Sequence, residues 1–397
     1  MMTQQRQVTF QLIPFTAASF LGFLAIGIPL PVLSFYVQDR LGFSPFMVGI
    51  IIGLQSLATL LTRRYAGRLC DTAGPKRTTM FGFACASAAG ALYLASVACA
   101  DHREFALAVL AAGRLVLGLG ESLFITALAS WSIARVGTQH AGRAMAWSGI
   151  SMYSAVALGA PVGLAIEHLG GFVWVAACAV LTPCIGALLA ARWADAAVAT
   201  AAASASFVRV LQKIWAPGLS LALASSGVGT ISAFLSLRYR IDHWAGAGLA
   251  LTGFGFAYIV MRLLFGGLPD RLGGFRTGAI SLFVEAAGLF LIAQASTPAF
   301  ALAGATLTGV GYSLVFPSLG VEALRRVPGE NRGIALSAYL ACFDLGVAMA
   351  GPSAGVVAHR YGMSAAFIAA SIAALLGLSL VCSDRLLLRP RTMETIC

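Results

Sequence analysis

Long apolar runs, broken only by short blocks of charge, glycine and proline, follow one another along almost the entire chain. They fall near residues 10–37, 46–66, 77–100, 104–133, 142–166 and 171–193, and again near 214–238, 247–267, 277–295, 299–323, 332–358 and 363–387. About 20 apolar residues suffice for a helix to cross the hydrocarbon core of a bilayer. Inside lipid every backbone donor and acceptor must be satisfied by the segment itself, so runs of this length are expected to be helices. The sequence thus predicts an all-α polytopic membrane protein of twelve spans. Charged residues make up 10% of the 397 and mean hydropathy is +0.87, whereas a soluble domain carries about 25% charged residues. A soluble fold is excluded because too few charges exist to wet its surface.

Residues 1–9 hold one Arg, and the first apolar run extends to about Tyr36. This is too long for a signal-peptide core, so it is expected to remain as the first helix. The longest connection, rich in Ala and Ser, divides the chain into a first bundle (1–193), a linker (194–213) and a second bundle (214–397). Lys and Arg, which resist translocation, are distributed unevenly between alternate loops. Twenty, including Arg6, Arg63, Arg77, Arg209, Arg276 and Arg389, fall on one side, and five fall on the other: Arg40, Arg103, Arg238, Arg240 and Arg360. Both termini and the linker are therefore expected in the cytoplasm. The net charge of +11 then reads as a topology signal, and no nucleic-acid partner is expected. All six Trp lie at or near expected helix ends, where amphipathic rings prefer the membrane interface. The eight Cys contain no CxxC pair and read as free thiols.

The two halves repeat. Arg135, Val136, Gly142, Ala144, Pro161, His168 and Gly171 recur as Arg326, Val327, Gly333, Ala335, Pro352, His359 and Gly362 at one offset of 191 residues. Arg63, Asp71, Gly74 and Arg77 recur as Arg262, Asp270, Gly273 and Arg276 at an offset of 199. Two parallel six-helix repeats follow.

Several local patterns sit at matching places in this frame. The loop after the second helix reads Gly67-Arg68-Leu69-Cys70-Asp71-Thr72-Ala73-Gly74-Pro75-Lys76-Arg77, with a weaker copy around Asp270. The fourth helix carries Arg114-Leu115-Val116-Leu117-Gly118-Leu119-Gly120-Glu121, and the fifth carries Gly159-Ala160-Pro161-Val162-Gly163. These stretches resemble motifs A, B and C of the major facilitator superfamily, in order. The segment Leu21-Gly22 to Pro29-Leu30-Pro31 partly matches its motif D, with Ile28 where a Pro usually stands. Phe316-Pro317-Ser318-Leu319-Gly320-Val321-Glu322-Ala323 and Phe343-Asp344-Leu345-Gly346 resemble an arabinose-efflux-permease-like bacterial subgroup. Thr72 and Pro75 occupy places where motif A usually has basic residues.

The resemblance implies two bundles around a central cavity exposed alternately to each side, with drug or metabolite:proton antiport as the implied activity. Motif A implies a conformational latch built from Gly67, Asp71, Gly74, Arg77, Asp270 and Arg332. A carboxylate at a helix end can hold an Arg or a helix N-terminus, and Asp71 is expected to engage the eleventh helix near Arg332. Motif C, with its counterpart at Pro352 and the prolines around Pro31, implies hinge or packing positions at Gly159, Pro161 and Gly163. Small residues let helices approach closely, and Pro permits a bend.

Ionisable residues inside spans are expensive and mark pathways or proton relays. Arg114 and Glu121, seven residues apart, share one helix face and can address one cavity. Arg114 can equally serve structure by bonding to backbone carbonyls of the first helix. Asp344 is twelve residues into the eleventh helix, near mid-bilayer, and Glu285 lies within the ninth. Taking up a proton removes the cost of burying a carboxylate, while a neighbouring Arg favours its charged form. Relative movement of the two groups can therefore bind or release a proton. The expected partners are a small-molecule substrate, protons and the bilayer, with the chain working as a monomer in a bacterial inner membrane. No Walker-type spacing, metal-ligand spacing or nucleophile elbow occurs, so neither an enzyme, a cofactor nor a metal site is expected. Export by proton exchange is the leading expectation. Uptake by proton symport, or a receptor that has lost transport, are the alternatives.

Overall fold

The computed structural model describes residues 2–137, 140–195, 207–327 and 332–388, and for 2–7, 141, 142, 146, 270, 332, 333 and 385–388 the backbone alone. Its regular elements are all helices. Helix α1 spans Met2–Gly27 and resumes as Leu30–Phe35, ending in a π-helical turn at Tyr36–Arg40. The break falls at Pro29, with Pro31 just inside the second segment; a proline ring lacks an N–H and clashes with the preceding turn. Helices α2 (Pro45–Ala73), α3 (Pro75–Ala98) and α4 (Arg103–Val136) follow. A helical stretch over Ala141–Ala191 turns sharply at Gly171, whose φ of 71° and ψ of −173° suit glycine alone. It comprises α5 (141–170) and α6 (172–191). The second half contains α7 (Trp215–Ile241), α8 (Ala247–Phe265), α9 (Gly274–Ala293), α10 (Pro298–Arg325), α11 (Arg332–Tyr361) and α12 (Met363–Leu388). Among the described residues eleven helical stretches are long and apolar enough to cross a membrane. One of them is the joined α5–α6 stretch, so division at Gly171 yields the twelve spans expected.

The repeat is visible in the backbone. Gly74 and Gly273 cap α2 and the short helix Leu268–Leu272 with φ of 87° and 85°, while Gly171 and Gly362 turn the chain with φ of 71° and 88°. These pairs stand at the two offsets found in the sequence.

The halves meet along two equivalent seams, α2 on α11 and α5 on α8. A Cβ placed on Gly49 would collide with the Gly351 carbonyl, and one on Gly53 would meet the Ala348 carbonyl at 2.6 Å and the Pro352 ring at 3.1 Å. In the other seam Gly248 lies against Pro161, Gly255 lies against Ala157, and the Thr252 hydroxyl donates to the Ala157 carbonyl at 2.9 Å. Gly49 and Gly248 are repeat partners, as are Pro352 and Pro161, so one close-packed contact is made twice. A third tie joins α1 to α7: Ser34 Oγ donates to the Ala233 carbonyl at 2.8 Å, and Arg240 pairs with Asp39 at 3.1 Å. All three ties lie toward the end that carries the α1–α2 and α7–α8 loops. Toward the opposite end the halves part around a cavity.

Candidate functional site

The cavity measures about 350 Å³ and lies between α2, α4 and α5 of the first half and α8, α10 and α11 of the second. It is bordered by the C-terminal parts of α2, α4, α8 and α10 and the N-terminal parts of α5 and α11. Those are the ends bearing the basic loops. Apolar side chains such as Met145, Met152, Phe316, Leu336 and Phe343 supply most of its surface, with a few polar groups set among them. This is the usual make-up of a small-molecule site.

One ion pair crosses between the halves in the cavity wall. Arg63 of α2 donates to Asp344 Oδ2 of α11 through Nε at 2.7 Å and Nη2 at 2.6 Å, with side-chain exposures of 16% and 5%. Breaking such a pair by removing one partner leaves an uncompensated charge, at a cost of about 3–5 kcal/mol when buried. Beside it Glu121 accepts from Gln55 Nε2 at 2.9 Å and Thr59 Oγ1 at 3.0 Å, both on Oε2. No described cation pairs with Glu121.

The repeat relates this ionic wall to a different one across the cavity. Arg63 corresponds to Arg262 at the 199-residue offset, while Asp344 and Glu121 correspond to Tyr153 and Tyr312 at the 191-residue offset. Tyr153 stacks on Tyr258 with centroids 3.6 Å apart, and Tyr312 lies 6.2 Å from Tyr258. The Tyr312 and Ser225 hydroxyls share a hydrogen bond of 3.1 Å. Arg262 sits 5.5 Å from the Tyr258 ring centre and donates through Nη1 to the Ser313 carbonyl at 2.8 Å. One wall therefore presents two carboxylates and an Arg, and the other presents tyrosines and an Arg.

The structure distributes the expected site residues unevenly. Glu121 and Asp344 line the cavity; Arg114 and Glu285 do not. Arg114 is buried and donates to the carbonyls of Ile51 at 3.1 Å and Ile52 at 3.1 Å, and to the Tyr93 hydroxyl at 3.5 Å. Its carbonyl partners belong to the second helix rather than the first. Arg114 and Glu121 do share a helix face, but that face packs on α2, and only the end holding Glu121 reaches the cavity. Glu285 is fully buried in the second half, against Gly227 and Gly311, with neither carboxylate oxygen hydrogen-bonded.

Among the latch residues, Gly67 borders the cavity, while Asp71 and Arg77 are exposed. The side chains of Asp270 and Arg332 lie outside the described residues, and with them the expected contact of Asp71. Lys76 makes the motif's visible tie: its Nζ donates to the Ala191 and Trp193 carbonyls at 2.8 and 2.7 Å, joining α3 to the end of α6. Of the hinge residues, Gly159 and Gly163 admit the break in α1, since a Cβ on either would strike the Gly27–Ile28 backbone. Pro161 and Pro352 border the two seams, and Pro31 is buried inside the resumed α1. Arg63, Arg262 and Tyr153 were not singled out in the sequence as site residues. Basic residues at helix ends look alike as topology signals, and only the repeat offset sets Arg63 beside Arg262 and Asp344 beside Tyr153.

A family model described as Major Facilitator Superfamily matches residues 15–244 and 218–392. The chain belongs to the Major Facilitator Superfamily. It is a multi-pass membrane transporter, in a family of transporters rather than enzymes. An uncharacterized MFS-type transporter of Burkholderia mallei (strain SAVP1) is 43% identical over 372 residues, covering 94% of this chain and 91% of that one. One from Pseudomonas aeruginosa (strain UCBPP-PA14) is 44% identical over 377 residues, covering 95% and 93%. Among solved structures, a mutant of the nucleoside transporter NupG matches with a TM-score of 0.75 at 14% identity, covering 96% of this chain and 100% of that one. The human organic anion transporter MFSD10 matches with a TM-score of 0.68 at 16% identity, covering 95% and 99%. At these identities the likeness concerns the fold.

Proposed function

We propose that this transporter exports a small organic molecule in exchange for protons, by alternating access, across a bacterial inner membrane with both termini in the cytoplasm. The observation that carries the reading is the Arg63–Asp344 pair, which joins the two halves inside the cavity wall. On this reading the side of the basic loops is cytoplasmic, the cavity faces the cytoplasm, and Asp344 paired with Arg63 is the deprotonated stage of the cycle. Cargo binds in that state. Once the outer seams part, Asp344 takes a proton from outside, Arg63 is released, and the halves rock back. Glu121, held only by neutral donors, is a second proton acceptor on the same wall. In the state closed on the cytoplasmic side, Asp71 holds the start of α11 near Arg332 and Asp270 acts in the weaker copy of that latch, while the chain flexes at the break before Pro31 and in the helices at Pro161 and Pro352.

One elementary charge crossing 100 mV contributes about 2.3 kcal/mol, enough to accumulate cargo roughly 50-fold per proton. The test is flux in proteoliposomes under an imposed pH gradient, for the wild type and Asp344→Asn. Wild-type flux that follows the gradient and is lost in the variant supports exchange. Flux unaffected by collapsing the gradient rejects proton coupling.

A further inference from the structure

The charge left unanswered in the cavity points to a substrate class, an inference that rests on this cavity being the transport site. Arg63 and Arg262 are repeat partners, yet among the described residues only Arg63 is paired with a carboxylate. Where α11 gives Arg63 the acid of Asp344, α5 gives Arg262 the ring of Tyr153. The described ion pairs do not include Arg262, and its Nη1 donates to the neutral Ser313 carbonyl. Space is withheld from filling as well. Gly149 of α5 stands where α11 has Leu340, and a Cβ on Gly149 would approach Arg262 Nη2 at 3.5 Å. The Arg262 guanidinium thus borders a mostly apolar cavity and, among the described residues, forms no ion pair with an acid. Leaving such a charge unpaired is costly in low dielectric, and a planar oxyanion suits its fork geometry.

We infer that Arg262 is the docking point for the acid group of an aromatic organic anion, a carboxylate or sulfonate whose rings lie against Tyr258, Tyr153 and Phe316. The anion supplies for Arg262 what Asp344 supplies for Arg63. The half-buried Phe316 ring and the rims of the stacked tyrosines border the cavity beside Arg262 and provide apolar contact for the rings.

The test is thermal stabilisation of the purified full chain in detergent, with no gradient present. This reads binding alone and stays informative should proton coupling fail. The probes are one- and two-ring aryl carboxylates and sulfonates, each paired with its neutral amide and with an amine of the same body, including 3-phenylpropionate, 3-phenylpropanamide and 2-phenylethylamine. Acids are expected to raise the melting midpoint while their amides and amines do not. Arg262→Gln is expected to weaken acid binding by about 10- to 150-fold, the range for hydrogen bonds to a charged group. Arg262→Lys, which keeps the charge but not the fork, should retain part of the affinity and serves as the folded control. Equal stabilisation by the amides or amines, an undiminished acid response in Arg262→Gln, or no response to any acid in the panel would overturn the assignment.

Discussion

Gly49→Ala should tip the transporter out of the state described here. In the α2–α11 seam a Cβ at Gly49 would overlap the Gly351 carbonyl, and a Cβ at Gly351 would overlap the Gly49 carbonyl in turn. Both obstacles are backbone, so no rotamer change relieves them and the helices must separate. Overpacking of this kind costs about 1–3 kcal/mol. If the seam is present in one state and open in the other, the whole cost falls on the state with the cavity facing the basic loops. The population ratio then shifts by a factor of about 5 to 150. The equivalent Gly248 is less tightly held, its Cβ reaching Pro161 atoms at 3.1 and 3.3 Å, so Gly248→Ala should shift the ratio less. Electron–electron resonance distances would read the change, with spin labels at Leu169 and Leu249 across the outer end and at Tyr65 and Leu264 across the inner end. All four positions are exposed. The expected result is a longer outer distance and a shorter inner one, larger for Gly49→Ala than for Gly248→Ala. A variant that folds normally and leaves both distances unchanged would refute the two-state role of the seam.

Further outcomes follow from the same geometry. Arg114→Met removes two charge-assisted bonds to α2 carbonyls and should cost about 1.5–3 kcal/mol or more in thermal unfolding, with flux per folded molecule kept within about twofold; lost flux at an unchanged midpoint would place Arg114 on the transport path. Glu285→Leu removes a buried carboxyl that has no hydrogen-bond partner and should raise the melting midpoint while flux persists; abolished flux would put Glu285 on the proton route. Gly74→Ala forces a side chain onto φ of 87° and should destabilise by about 1–3 kcal/mol, whereas Gly67→Ala, with nothing within 4 Å of the added Cβ, should be close to neutral in the same melt.

Helix number and the twofold repeat were legible in the sequence because both rest on signals of short range: apolar length, and glycines whose positive φ no other residue readily adopts. Gly74, Gly171, Gly273 and Gly362 carry that information directly. The ionic site was legible only in part. Asp344 and Glu121 stand out as acids within apolar runs, but their partners do not. Arg63 lies 281 residues from Asp344 and resembles every other basic residue at a helix end. Arg114 shows the converse: its helical register relative to Glu121 was readable, yet which neighbour that face would meet depends on how α2 packs, and no periodicity within α4 contains that.

The central claim is that proton movement and cargo movement share one cavity, with the proton carried by the Arg63–Asp344 wall. Its most direct measurement is uptake of a labelled aryl acid into everted vesicles with the membrane potential clamped at zero, with and without a pH gradient, for the wild type and Asp344→Asn. The account predicts wild-type uptake that falls to the leak rate when the gradient is collapsed, and an Asp344→Asn rate already at that leak. Gradient-driven uptake that survives intact in Asp344→Asn would contradict it.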